Sequence, residues 1–367
     1  MQRERVNEID LMRFAAALMV VFYHYAFRGY AGGDRSDMPY ALLAPVAKYG
    51  YLGVELFFMI SGFVILMTAA SGTLRSFAIS RFVRLYPAFW ACCTVTFLAT
   101  LMIGGDRFHA SVGQYLINMT MLSGFLHVPP IDGVYWSLFI ELQFYAIVAV
   151  LLALGQIPRA QVWLYLWLLA VLVAQYMDIP RLRIMLIAPY AAYFIAGATC
   201  YLIRTQGINA SRGSLLAASW LVALYPFTRA VGSFERRFHT DFSAFVVAAI
   251  ITAFFLMMLA VAMRRTGRFA HWRWVALGAL TYPLYLLHQN IGYMVFNALY
   301  PQVNAHLLFW GMIALMLAMS YAVHATVERP LSRPLKAGLN WLFDALALIW
   351  RPWQGWISRF GRGVPLD

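Results

Sequence analysis

Charged residues are scarce in this sequence. They fill 12% of its 367 positions, about half the roughly 25% of a water-soluble domain. Hydrophobic residues fill 62%, and the mean hydropathy is +0.68. A chain this apolar needs lipid as part of its solvent, which excludes the pair of soluble domains that length alone would suggest. Cysteine is nearly absent. Cys92, Cys93 and Cys200 all lie in apolar runs, with no CxxC pair or Cys/His spacing to suggest zinc, so no metal is expected. Acids are outnumbered, 15 against 28 Lys and Arg, for a formal charge of +13. In a soluble protein that balance would point to nucleic acid. Here Arg-rich cytoplasmic loops facing an anionic inner leaflet account for it, and no nucleic-acid partner is expected. There is no Gly/Ser linker, no low-complexity tract and no evident repeat. A GxxxxGK loop, an HExxH pair and a G-x-S-x-G elbow are also missing, so any chemistry must come from scattered polar groups within the apolar runs.

Those runs are long and continuous rather than alternating. Only helices and closed barrels satisfy their backbone groups internally in lipid, so the pattern predicts an all-α polytopic membrane helical bundle. About ten runs near the 20 residues that a bilayer core needs lie near 9–27, 49–70, 86–104, 133–154, 161–177, 184–203, 213–228, 242–263, 274–295 and 305–327. The stretch 113–128 is shorter, partly polar and ends at Pro129-Pro130; it reads as interfacial or re-entrant. With the N-terminus inside, the inner segments carry about twice as many Lys and Arg as the outer ones, which predicts both termini cytoplasmic. The first segment is not read as a signal peptide, because Arg13 interrupts it and no A-x-A-like site follows His24. Residues 1–337 are expected to form one transmembrane domain. The tail 338–367, with Trp341, Trp350, Trp353 and Trp356 among basic residues, is expected to be an amphipathic helix lying on the membrane.

A charge at the bilayer centre costs about 2.5–3.5 kcal/mol or more, so such residues face cavities and do work. The first helix carries Asp10, Arg13 and His24. Arg13 and His24 are eleven apart, which places them on one helix face about 16 Å apart along the axis. Asp10, one turn before Arg13, can pair with it; anchoring of that pair at the headgroups is the competing reading. Glu55 opens "GVELFFMISGF", and "VYWSLFIELQFY" places Ser137, Glu141 and Tyr145 on one face. For each acid a buried structural hydrogen bond is the alternative. His288 follows Pro283 by five residues, near an interface, and the proline frees a carbonyl. Arg81 and Arg84 in "RFVRLYP" project to one side at the mouth of the third span. Two guanidinium groups suit a phosphate-bearing ligand, whereas plain positive-inside anchoring needs no ligand.

Six ordered segments, over about residues 8–336, resemble the membrane-integral acyltransferase-3 family, bacterial proteins that move acyl groups onto extracytoplasmic sugars. They are "LMRFAAALMVVFYHY", "GVELFFMISGF", "RFVRLYP", "YWSLFIELQFY", "LGALTYPLYLLHQ" and "VERPLSR". The resemblance implies a stand-alone membrane-domain O-acyltransferase in the bacterial inner membrane, multi-pass. It implies His24 as catalytic base or acyl relay, supported by Arg13, with Glu141 and Glu55 lining the reaction cavity; Asp10, paired with Arg13, is counted with the catalytic residues. Arg81 and Arg84 would hold the phosphates of coenzyme A. Tyr25, Trp136, Ser137, Tyr145 and His288 are expected to contact substrate. The expected donor is acetyl-CoA or another acyl-CoA, with no metal. The expected acceptor is a hydroxyl of an extracytoplasmic saccharide or glycolipid, and polysaccharide-assembly proteins are conceivable partners beside the bilayer. Two departures stand out. Leu142 occupies the place of a second acid that the family often has, and no hydrolase-like domain is expected after the bundle. The competing function is a proton-coupled transporter or flippase of lipid-linked sugars, for which membrane His and Glu residues serve as relays but a phosphate clamp has no purpose.

Overall fold

The computed structural model describes residues 6–33 and 35–360, with side chains except at 226–231 and 348–360. Arg3, Arg5, the last seven residues and the side chains of Trp350, Trp353 and Trp356 therefore lie outside the described residues. Among the described residues there is no strand. Eleven long helices make the bundle: α1 Asn7–Tyr23, α2 Gly53–Ala70, α3 Leu74–Ile103, α4 Trp136–Ala153, α5 Ala160–Tyr176, α6 Ala191–Gln206, α7 Ala210–Phe238, α8 Ala244–Ala262, α9 Val275–Leu299, α10 Ala305–Val323 and α11 Arg329–Phe360. Among the described residues seven segments are long and apolar enough to cross a membrane: Asn7–Ala31, Gly50–Ala70, Leu74–Ile103, Gly133–Ala153, Ile157–Tyr176, Ala244–Ala262 and Ala305–Ala347. The expected spans at 184–203, 213–228 and 274–295 fall on α6, α7 and α9, which do not meet that test. α6, with 16 residues, is too short. α9 is buried along most of its length, so protein rather than lipid surrounds its Thr, Tyr, His and Asn side chains.

Side-chain caps explain several helix starts. Thr73 and Ser76 form a capping box at α3, Asn209 caps α7 through Arg212 N–H, and Ser243 caps α8 through Val246 N–H. The box at Thr73 starts α3 twelve residues before the span expected at 86. Arg81 and Arg84 therefore stand inside a 30-residue helix rather than at its mouth. The ambiguous stretch 113–128 forms the short helix Val112–Asn118, with its own Ser111/Gln114 capping box, and then turns. No break marks position 337. α10 runs through a π-helical turn, His324–Glu328, directly into α11.

Between apolar helices in lipid, close van der Waals contact must replace the hydrophobic drive, so small residues mark the crossings. The tightest is α2 against α6. A Cβ on Gly197 would lie 1.7 Å from the Met59 carbonyl oxygen, and one on Gly62 would lie 2.1 Å from that of Phe194. Backbone meets backbone there, so neither side can yield. α1 packs against α9 and α2, and α9 also contacts α3 and α10. The centre of the bundle is thus α1, α2 and α9, which carry Asp10, Arg13, Glu55 and His288.

Candidate active site

α1 does not end as a regular helix. His24–Arg28 forms a π-helical turn, a feature that re-aims side chains and recurs at functional sites. His24 opens that turn and is half-buried. Its Nδ1 lies 3.0 Å from the Val20 carbonyl oxygen and 2.9 Å from Nε2 of His288. His288 is fully buried. Its own Nδ1 lies 3.1 Å from the Leu284 oxygen and 2.8 Å from the Tyr285 oxygen. Carbonyl oxygens only accept, so the donors assign the tautomers. His288 carries its proton on Nδ1 and offers the Nε2 lone pair. His24 therefore donates from Nδ1 to that lone pair, and its own Nε2 is left unprotonated. Tyr25 closes the arrangement from behind. Its hydroxyl donates to the His288 carbonyl oxygen at 2.8 Å, and its ring fills the space over Gly292, where a Cβ would come within 2.3 Å of Tyr25 Cε1.

His288 lines neither of the cavities described next; nor does Tyr25, only 2% exposed. His288 stands behind His24 as its hydrogen-bond partner. Sequence reasoning missed the pairing because the partners are 264 residues apart.

Two cavities lie on the side of α1 that carries Arg13 and His24. The first, about 180 Å³, is lined by Arg13, Ser61, Arg81, Arg84, Glu141 and Tyr145, with Phe57 and Leu85 among its apolar walls. The second, about 580 Å³, is lined by His24, Arg28, Glu55, Trp136, Tyr190 and Gln289, among others. We call them basal and distal, after the start of α1 and its end. They share Val54 and Tyr285 as wall. The spacing argument that put Arg13 and His24 on one face agrees with this geometry, each residue facing its own cavity.

In the basal cavity Glu141 Oε1 accepts from Ser61 and Tyr145, each at 2.7 Å. Ser137, one turn earlier, meets the Tyr285 hydroxyl at 2.7 Å and donates to the Val134 oxygen at 3.0 Å. The guanidinium groups of Arg81 and Arg84 lie over the rings of Tyr145 and Tyr282, 5.9 and 5.8 Å from the centroids. Arg84 also pairs with Glu328, whose other oxygen takes His324 Nδ1 at 2.9 Å. The two arginines therefore differ. Arg84 is already neutralised by a buried acid, whereas Arg81 donates only to neighbouring Ser80 at 3.0 Å and keeps a buried Nε without a partner among the described residues. Glu328 lies within the "VERPLSR" segment, yet its pairing with α3 is not legible locally. The Arg13 guanidinium stands in the field of Arg84, Asp10 and Glu141. Asp10 lines neither cavity and lies against Gly278 of α9, where a Cβ would come within 2.6 Å of its carboxylate.

In the distal cavity Glu55 is buried, with Oε2 unpartnered among the described residues. Trp136 is 41% exposed and stacks near Tyr190, with ring centroids 5.4 Å apart. Behind its Gly133–Val134 wall lies Asp132, which was not singled out in the sequence. It is fully buried and accepts from Val134 N at 3.1 Å and Asn290 N at 2.9 Å, tying the start of α4 to α9. Among the described residues no group of three His, Cys, Asp or Glu is placed to hold a metal ion, and the three cysteines are free and buried.

Over 168 residues the chain is 31% identical to Nodulation protein 10 of Rhizobium leguminosarum bv. viciae, covering 40% of this chain and 44% of that one. It is 30% identical over 165 residues to the peptidoglycan O-acetyltransferase OatA of Listeria monocytogenes, covering 40% and 24%. It is 27% identical over 142 residues to a putative acetyltransferase, ORF330, of Acidianus two-tailed virus, covering 38% and 39%. The chain thus spans less than half the length of each of these relatives. No solved structure matches it. A family model described as an acyltransferase domain matches residues 6–325, nearly the whole chain, and the protein belongs to that membrane acyltransferase-3 family.

Proposed function

We propose that this chain is a bacterial inner-membrane O-acyltransferase, moving an acyl group, acetyl on family habit, from acyl-CoA to a hydroxyl of an extracytoplasmic saccharide or glycolipid. The observation that carries the reading is the His24–His288 pair, which leaves His24 Nε2 as a proton acceptor on a ring that lines the distal cavity. A neutral imidazole with a free ring-nitrogen lone pair suits a general base.

The donor enters from the basal side, which the charge bias puts in the cytoplasm. Its phosphates rest on Arg81, with Arg84 joining as it shares its charge with Glu328. The pantetheine arm lies along the apolar wall of the basal cavity, and the thioester reaches the Val54–Tyr285 partition. The acceptor hydroxyl gives its proton to His24 Nε2 as its oxygen attacks the thioester carbonyl carbon. The new C–O bond forms, the C–S bond breaks, and the sulfur leaves with the proton returned by the imidazolium. Alternatively, Nε2 attacks first and the acyl group passes from His24 to the acceptor. Both routes use the same lone pair. The role that an acid plays for histidine in hydrolase triads falls here to His288, a neutral acceptor.

The test is label transfer from radiolabelled acetyl-CoA in membrane vesicles, comparing the wild type with His24→Ala and Arg81→Ala. Label should reach a saccharide, vanish in His24→Ala and need much more acetyl-CoA in Arg81→Ala. Equal labelling by all three would remove both residues from these roles.

A further inference from the structure

Glu55 is a buried acid with no donor for one of its oxygens. It stands in the first turn of α2 and is 4% exposed, and its Oε2 accepts no hydrogen bond among the described residues. Acids are almost never buried unless paired, and an orphaned acceptor costs free energy. The other buried carboxylates of the site show the contrast. Glu141 accepts from Ser61 and Tyr145, and Asp132 accepts from two backbone N–H groups. Glu55 lines the distal cavity, so a hydroxyl entering that cavity can supply the donor that the protein does not.

Backbone contact fixes Glu55 beside His24. A Cβ on Gly50 would lie 2.1 Å from the Met19 carbonyl oxygen, and one on Gly53 would lie 2.5 Å from that of Ala16. The start of α2 is therefore pressed against α1, and both helices contribute to one cavity of about 580 Å³, within the range of small-molecule sites. One turn after Glu55, Phe58 braces the opposite wall. Its ring meets that of Trp136 edge-on at 6.2 Å and lies 5.0 Å from that of Tyr190. Trp136 lines the cavity and is still 41% exposed. An open indole suits the C–H face of a sugar ring, whose hydroxyls then need polar partners around it. Gln289 offers one more. Its amide lies over Gly133, where a Cβ would come within 2.2 Å of Nε2.

We propose that Glu55 reads the acceptor: it takes a hydrogen bond from the ring hydroxyl next to the one that His24 deprotonates, while the sugar ring lies against Trp136. His24 and Glu55 reach the cavity from helices in backbone contact, so they meet neighbouring hydroxyls of one sugar. The acceptor is then a pyranoside with a free vicinal diol, and one whose neighbouring hydroxyl is missing is rejected.

This inference rests on the distal cavity being the acceptor site, and binding measured without any donor separates it from the transfer reaction. The full-length protein in nanodiscs is titrated with the methyl pyranosides of glucose, galactose and mannose. The tightest binder is then compared with its monodeoxy analogues. Loss of one particular ring hydroxyl should weaken binding about tenfold or more. Glu55→Leu should bind that analogue and its parent alike, Glu55→Gln should keep part of the discrimination, and Trp136→Ala should weaken every probe together. Glu55→Leu removes no hydrogen bond from Oε2, so its thermal unfolding should be unchanged or raised. A clear loss of stability would mark a structural acid and overturn the proposal. Binding of no pyranoside at millimolar concentration, equal binding of all deoxy analogues by the wild type, or discrimination unchanged in Glu55→Leu would overturn it too. If the discrimination holds but no acetyl label ever moves, the transfer reading falls and the sugar site stands.

Discussion

Replacing His288 with Phe keeps an aromatic ring of similar size but removes the acceptor of the 2.9 Å bond from His24 Nδ1. His24 Nδ1–H then keeps only the Val20 carbonyl as acceptor, and the imidazolium that forms during attack loses its second one. A neutral hydrogen bond is worth about 0.5–1.5 kcal/mol net, and one to a charged group about 1.5–3 kcal/mol. His24 becomes an imidazolium as the acceptor attacks, so the second range applies to the step that sets the rate. At about 1.4 kcal/mol per decade, kcat should fall roughly 10–100-fold. The Michaelis constants for donor and acceptor should stay nearly unchanged, because His288 lines neither cavity. His288→Gln places an amide oxygen close to where Nε2 stands and should recover part of the loss. The assay is steady-state acetyl transfer with both substrates varied, alongside thermal unfolding to show that the variants fold. A His288→Phe enzyme with wild-type kcat would refute the reasoning, as would a loss expressed entirely in either Michaelis constant.

Three further outcomes follow from the same geometry. Arg84→Ala leaves the buried Glu328 facing only His324, so it should cost stability on the order of 3 kcal/mol; the double variant with Glu328→Gln should recover most of it, a coupling read by thermal unfolding in detergent. Gly197→Ala puts a methyl 1.7 Å from the Met59 carbonyl oxygen and should abolish monodisperse protein on size exclusion, whereas Gly213→Ala, with nothing within 4 Å, should be silent. Trp136→Ala removes the exposed ring of the distal cavity and should raise the acceptor Michaelis constant roughly tenfold without moving that for acetyl-CoA.

Local pattern carried much of this site and failed where partners are distant. Arg13 and His24, Arg81 and Arg84, and Ser137, Glu141 and Tyr145 are each set by helical periodicity within one segment, and each set faces the cavities as its spacing predicts. The helical class follows in the same way from run length. The start of α3 was misjudged because hydropathy discounts Arg75, Arg81 and Arg84, while the Thr73/Ser76 capping box that begins the helix has no apolar signature. Tyr25 flanks His24 in the sequence, but one position along a helix turns a side chain about 100°, and that rotation buries it under α9. The tautomer of His24, the neutralisation of Arg84 by Glu328 and the meeting of Glu55 with Trp136 in one cavity all join separate helices or loops. No periodicity encodes such contacts.

The central claim is that donor and acceptor occupy opposite ends of one path through His24. Sealed proteoliposomes of known orientation, with radiolabelled acetyl-CoA supplied on one side and acceptor saccharide on the other, test it directly. Labelled saccharide should form only when acetyl-CoA is on the Arg81/Arg84 side and the acceptor on the Trp136 side, and not at all with His24→Ala. Equal labelling with both substrates confined to the same side, or labelling that survives His24→Ala, would contradict it.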